Sequence, residues 1–237
     1  MTWQAVDDVR YYANPSTQKV RDAMTTGLLD CITTPLQGNK LPEGVPFCAD
    51  NGAFGKGYPG DAAWWAWLQR QPADRCSFAV APDVPFDSLL TLDKSLPWLD
   101  RIRSLGIRAA VVAQNGFENI PIVPWDAFDV LFLGGTMECL PCGYLRPVDD
   151  FRTKRCPLCA RRLIEWKCGT AAAALTAEAK ARGKWVHMGR VNSAKRHSYA
   201  EFIGCDSADG TYIKHGPDKN LPKFRDWLDR PSLGAAS

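Results

Sequence analysis

The sequence predicts an α/β fold: a closed barrel of eight parallel strands of the (β/α)8 TIM type, one domain over 1–237, with a zinc-ribbon-like module inserted at 138–164. Three observations carry this expectation. Short, near-continuous apolar runs alternate with helix-compatible segments, the pattern of a parallel sheet covered by helices. Eight such runs occur, enough to close the sheet. Polar residues gather at the C-terminal ends of the runs, where barrels build their sites. An open doubly wound sheet is the competing architecture, and it too binds ligands at strand C-termini.

The eight strands are VRYYA (9–13), CITTP (31–35), PFCAD (46–50), SFAVAPD (77–83), AAVVAQ (109–114), VLFLGG (130–135), WVHMGR (185–190) and the segment entering GCDSAD (204–209). Each is a compact apolar run, several of them bounded by Gly, Pro or Asp. Helices fit between most of them, at 16–26, 60–70, 87–105, 165–182 and 194–202, the first and the last two opening near Ser16, Glu165 and Ser193. WKCG, Trp166 to Gly169, reads as a helix opening or as the site of a buried Trp. The tail, 231–237, reads as disordered.

A chain of 237 residues with 46% hydrophobic content can bury one sizeable core. Twenty-nine Lys and Arg against 26 Asp and Glu give a net charge of only +3, so any nucleic-acid footprint must be local. The start, MTWQAVDDVRYY, lacks the basic head and apolar run of a signal peptide, and no stretch approaches the roughly 18 apolar residues that span a bilayer. A cytoplasmic protein without a membrane partner is expected. Nine cysteines then read as thiols and metal ligands rather than a disulfide framework.

Four of them have metal-ligand spacing: Cys139-x2-Cys142, thirteen residues, then Cys156-x2-Cys159. Two such knuckles can bring four thiolates to one tetrahedral Zn²⁺, and a shell closed by four sulfurs leaves no place for a reactive water, so the zinc is expected to be structural. Cys31, Cys48, Cys76, Cys168 and Cys205 have no such spacing and read as small core residues. Around the knuckles Arg146, Arg152, Lys154, Arg155, Arg161 and Arg162 outnumber Asp149 and Asp150, which fits phosphate contacts and a solvated surface equally well.

Asp50, Asp83 and Asp209 stand at strand ends, where three acids converging on one mouth supply a nucleophile or charge stabiliser and an acid/base partner, the minimum for displacement at a glycosidic carbon. Each also has a plainer reading. Asp50-Asn51-Gly52 suits a turn, Asp83 between Pro82 and Pro85 a fixed loop, and Asp206 and Asp209 a cap.

In order along the chain, ADNGAF (49–54), PDVPFD (82–87), QNGFEN (114–119), LGGT (133–136), HMGRVNS (187–193) and GCDSAD (204–209) resemble the tRNA-guanine transglycosylase superfamily, and most closely its DpdA-like 7-deazaguanine DNA transglycosylases of phages and bacteria. The resemblance covers 46 to about 215. It implies exchange of guanine in DNA for a 7-deazaguanine base through a covalent glycosyl-aspartate. Asp209 would be the nucleophile, Asp206 structural and Asp50 the general acid/base; Asp83, Gln114, Gly134 and Gly135 would read the base edge, and Phe54 and Met188 would sandwich the ring. Without the resemblance, Phe54 and Met188 read as core. His187, Arg190, Lys195, Arg196, His197, Lys214 and His215 are expected near the mouth. Lys195 and Arg196 serve there as phosphate contacts or as a bare basic face, and Arg190 reaches base or backbone.

The tRNA enzymes carry a CxCxxC zinc motif with a His after the nucleophile, which this chain lacks, and they are longer; both departures favour DNA as acceptor. The partners so implied are DNA and a free 7-deazaguanine, in the host cytoplasm if the chain is phage-encoded, with a homodimer compatible. The alternatives are a tRNA transglycosylase, a hydrolytic base glycosylase, or a non-catalytic zinc-ribbon nucleic-acid-binding protein. The last sits poorly with three acids that would repel phosphate.

Overall fold

A computed structural model describes residues 9–55, 57–147, 150 and 152–229; the expected disordered tail and Asp149 lie outside the described residues. Eight parallel strands close into a barrel in the order β1, β11, β10, β6, β5, β4, β3, β2. They are β1 (Arg10–Ala13), β2 (Asp30–Thr33), β3 (Phe47–Ala49), β4 (Cys76–Val80), β5 (Ala109–Ala113), β6 (Val130–Leu133), β10 (Trp185–Met188) and β11 (Ser207–Asp209). All eight expected strands are present, and closure removes both sheet edges.

Alternation along each strand divides the apolar residues into two layers. Tyr12, Ile32, Cys48, Phe78, Val80, Ala110, Val112, Val130, Phe132 and Trp185 fill the barrel. Their neighbours in sequence, such as Ala49, Ala79, Val111, Leu131, Val186 and Ala208, pack outward against the helices. The N-terminal end of the lumen is closed by polar residues, Arg10 Nε donating to Asp30 at 2.6 Å and the Arg108 guanidinium lying over the Trp185 ring.

Among the described residues six α-helices cover the barrel: α1 (Gln18–Thr25), α2 (Asp61–Leu68), α3 (Ser88–Ser104), α4 (Thr170–Ala181), α5 (Ala194–Phe202) and α6 (Pro217–Leu228). Thr17, Asp87 and Ser193 cap α1, α3 and α5 through their side-chain oxygens. No α-helix follows β2 or β5. The first of these crossovers contains Pro35, Pro42 and Pro46, and the second contains Pro121 and Pro124 with two short 3-10 turns. Trp166–Cys168 forms a 3-10 turn before α4, with Trp166 buried.

Between β6 and α4 stands a three-stranded antiparallel sheet, β7 (Met137–Cys139) flanked by β8 (Tyr144–Leu145) and β9 (Ile164–Glu165). Among the described residues its buried apolar cluster is Cys139, Cys156 and Leu163, with the partly buried Met137 and Tyr144 packed against it.

Helix α6 was not anticipated. It starts on Pro217 and buries Leu221, Phe224 and Trp227, with Phe224 packed on Tyr11 of β1 at a ring separation of 4.7 Å. Phe224→Ala is expected to cost about 3–5 kcal/mol in urea unfolding. A loss below about 1 kcal/mol would show that α6 is not part of the core.

Candidate active site

The C-terminal mouth of the barrel holds a cavity of about 510 Å³. Asp50, Asp83, Gln114, Gly134, Gly135, Phe54, Arg190 and Asp209 all line it. The strands explain the convergence. Ile32, Val80, Val112 and Phe132 form the apolar floor, and the next inward-facing residue beyond several of them is a site residue: Gln114 beyond Val112, and Gly134 beyond Phe132. Gly134 and Gly189 leave the floor flat. A Cβ on Gly189 would stand 2.6 Å from the Phe132 ring, and one on Gly134 2.8 Å from Val112 Cγ1.

Asp50 bonds the Gly52 N–H at 2.6 Å, and Asn51 Oδ1 bonds the Ala53 N–H at 2.7 Å, so the turn and the site use the same residues. Burial pushes the Asp50 carboxyl up to about 7; the Gly52 bond opposes the shift, and the charges of Asp209 and Asp83 add to it. The Asp83 carboxylate is held at both oxygens, by Asn51 Nδ2 at 2.9 Å and Gln114 Nε2 at 2.7 Å, and burial raises its pKa against those bonds. Gln114 is itself fixed, because its Oε1 accepts the Phe86 N–H at 2.7 Å. Its amide therefore orients Asp83 and the Phe86 loop.

Asp209 ends β11 and accepts the Arg190 backbone N–H at 3.0 and 3.2 Å. The Arg190 side chain donates to the Gly135 carbonyl and lies over the Phe54 ring, 4.0 Å from its centroid. Gly135 has φ +78°, and a Cβ there would meet Asn115 Oδ1 at 2.9 Å and the Trp166 ring at 3.0 Å, so only glycine fits. Among the described residues three non-glycines have positive φ, and two of them, Phe86 (73°) and Arg190 (58°), line this cavity. Strained backbone of that kind concentrates at functional sites.

Of the remaining residues singled out in the sequence, some line the cavity and others do not. Met188 does not line the cavity: it packs in the outer layer with Val186, because its neighbour His187 takes the inward position. His187 is fully buried inside the barrel rather than at the mouth. His197 is buried on α5 against Phe224 and Trp227. Asp206 is outside the cavity, accepting from Lys180 and from the Val186 N–H at 2.7 Å. Arg196 pairs with Glu165, Lys195 is exposed on the first turn of α5, and Arg161 and Arg162 are exposed on the inserted module. Lys214 lines the cavity. Asn51 and Phe86 were not singled out in the sequence, although both fall inside the runs ADNGAF and PDVPFD.

The four thiols of Cys139, Cys142, Cys156 and Cys159 lie within 4.8 Å of one another. Sulfurs on a tetrahedral ion with bonds of about 2.3 Å stand about 3.8 Å apart, so the cluster fits a metal ion. Cys31, Cys48, Cys76 and Cys205 are buried and Cys168 is half-buried. No helix among the described residues is long and apolar enough to cross a membrane.

No protein-family model matches the chain, and no curated protein is similar enough to count as a relative.

Folding raises the Asp50 pKa from the ordinary carboxylate range to about 7, so the folded chain binds the extra proton and stability falls as pH rises through that window. Asp50→Asn removes the cost of ionising the buried group. Its melting temperature relative to the native chain should rise by at least about 2 °C more at pH 8 than at pH 5. An equal difference at both pH values would contradict the shift.

Proposed function

We propose that the protein is a DNA-guanine transglycosylase that exchanges guanine for a 7-deazaguanine base through a covalent glycosyl-aspartate. The observation that carries this reading is the meeting of three carboxylates, Asp50, Asp83 and Asp209, in one flat-floored cavity beside an aromatic ring. Its chemistry matches the roles that the sequence resemblance implies. A binding protein for a polyanion gains nothing from burying three acids.

In this mechanism an Asp209 carboxylate oxygen attacks C1′ of the target nucleotide, the glycosidic bond breaks, and its electron pair leaves with the base. Asp50, with its pKa near 7, gives the departing base a proton. The incoming base gives its own ring N–H proton to Asp50 as that nitrogen attacks C1′, and Asp209 leaves with both electrons of the ester bond. Two inversions at C1′ retain the configuration. Asp83, held by Asn51 and Gln114, accepts from the N–H donors of a guanine-type edge. Phe54 gives a ring face for stacking, the face that Arg190 covers in the free protein.

The acids lie inside the barrel mouth, so the target nucleotide must leave its helix or be single-stranded. Lys214 and Arg190 at the cavity, and exposed Lys195, Arg161 and Arg162, are cations that would meet phosphates. Cys139, Cys142, Cys156 and Cys159 would hold a structural Zn²⁺, and its bonds would tie the two cysteine pairs of the module together.

Denaturing gels of protein mixed with guanine-containing DNA should show a covalent adduct that is lost in Asp209→Asn and formed more slowly in Asp50→Asn, with DNA binding kept in both. An adduct that persists in Asp209→Asn overturns the assigned nucleophile. Metal analysis should find about one zinc per chain. Cys142→Ser should release it while the barrel keeps a cooperative thermal transition; full retention of zinc by that variant would reject the four-thiolate site.

A further inference from the structure

His187 is a buried titratable residue that the mechanism above does not use. Its ring is 0% exposed and stands inside the barrel among Tyr12, Phe78 and Phe132, with centroid separations of 5.7, 5.1 and 4.6 Å. Nδ1 lies 2.8 Å from Ser207 Oγ. Nε2 has no hydrogen-bond partner among the described residues and lies 3.8 Å from Asp209 Oδ2.

The neighbours set the direction of the hydrogen bonds. Trp185 Nε1–H can only donate, and it donates to Ser207 Oγ at 2.8 Å. The Ser207 hydroxyl proton then has one acceptor in hydrogen-bond reach among the described side chains, His187 Nδ1. A neutral imidazole that accepts at Nδ1 carries its proton on Nε2. That proton faces Asp209, whose other donor is the Arg190 backbone N–H.

We infer that Trp185, Ser207 and His187 form a one-directional hydrogen-bond chain up the barrel that presents the His187 Nε2–H to Asp209 and orients its carboxylate for attack. His187 is a positioning residue: it acts through Asp209, and the cavity-lining residues do not include it. An approach of under 1 Å from the 3.8 Å separation would bring Nε2–H into bonding range as charge redistributes on Asp209. The donor fixes which oxygen stays bonded and which is free for C1′. An aromatic cage around the ring keeps water from competing for the same proton.

The hydrogen-bond chain rests on geometry alone, whereas its catalytic consequence rests on the transglycosylase reading. Two measurements separate them. Nitrogen-15 NMR of histidine-labelled protein has only three rings to resolve, and the His187 signals are identified by their loss in His187→Gln. The expected pattern is a protonated Nε2 and an unprotonated, hydrogen-bonded Nδ1. A proton on Nδ1 overturns the chain.

The second measurement is the rate of adduct formation on guanine-containing DNA. His187→Phe keeps the ring and loses the donor, and should slow the adduct by about tenfold to a hundredfold, the effect of one hydrogen bond to a charged group, with DNA affinity unchanged. His187→Gln can present an amide N–H near the position of Nε2 and should recover most of that rate. A His187→Phe rate equal to the native rate, or no recovery in His187→Gln, overturns the positioning role. If the native protein forms no adduct, the transglycosylase reading falls, and the NMR result decides the chain alone.

Discussion

Everything at the mouth of this barrel follows from the alternation of inward and outward residues along eight closed parallel strands. Closure leaves no freedom of phase: once Phe132 faces inward, Leu133 faces the helices and Gly134 faces the cavity. The same rule on β10 and β11 puts His187 and Gly189 inside with Ser207 and Asp209. The acids therefore converge because each lies at, or just past, the C-terminal end of a barrel strand.

That placement has an electrostatic cost which the structure offsets unevenly. Asp83 is held by two side-chain amides that oppose, without cancelling, the upward push of burial on its pKa, and Asp209 accepts a backbone N–H. Asp50 has one backbone bond, deep burial and two acidic neighbours, and its pKa rises to about 7. A carboxyl with a pKa near neutrality can give up and take back a proton at neutral pH. The left-handed backbone at Arg190 belongs to the same arrangement, since it presents the N–H to Asp209 and sends the guanidinium back to Gly135.

Much of this was legible in the sequence. The strands were readable because each is a compact apolar run bounded by breakers, and the cysteine pairs because ligand spacing is periodic and short. Helix α6 was hidden by Pro217 and Pro222 and by its many charges, although Leu221, Phe224 and Trp227 recur at helical spacing. The sheet beside the cysteines escaped notice because its strands are two or three residues long. Met188 illustrates a deeper limit. All four residues of WVHM are buried, so nothing in that run shows which pair faces inward, and a phase error of one residue exchanges His187 with Met188. Asn51 and Gln114 show another: their partner, Asp83, is about thirty residues away in sequence.

Base exchange on an intact strand is the activity proposed for the cavity. The most direct measurement is mass spectrometry of nucleosides from guanine-containing DNA incubated with the protein and a free 7-deazaguanine base. The expected result is the deazaguanine deoxynucleoside in the digested DNA and release of one guanine for each base incorporated. DNA that retains all its guanine, or that gains abasic sites without incorporation, would contradict it.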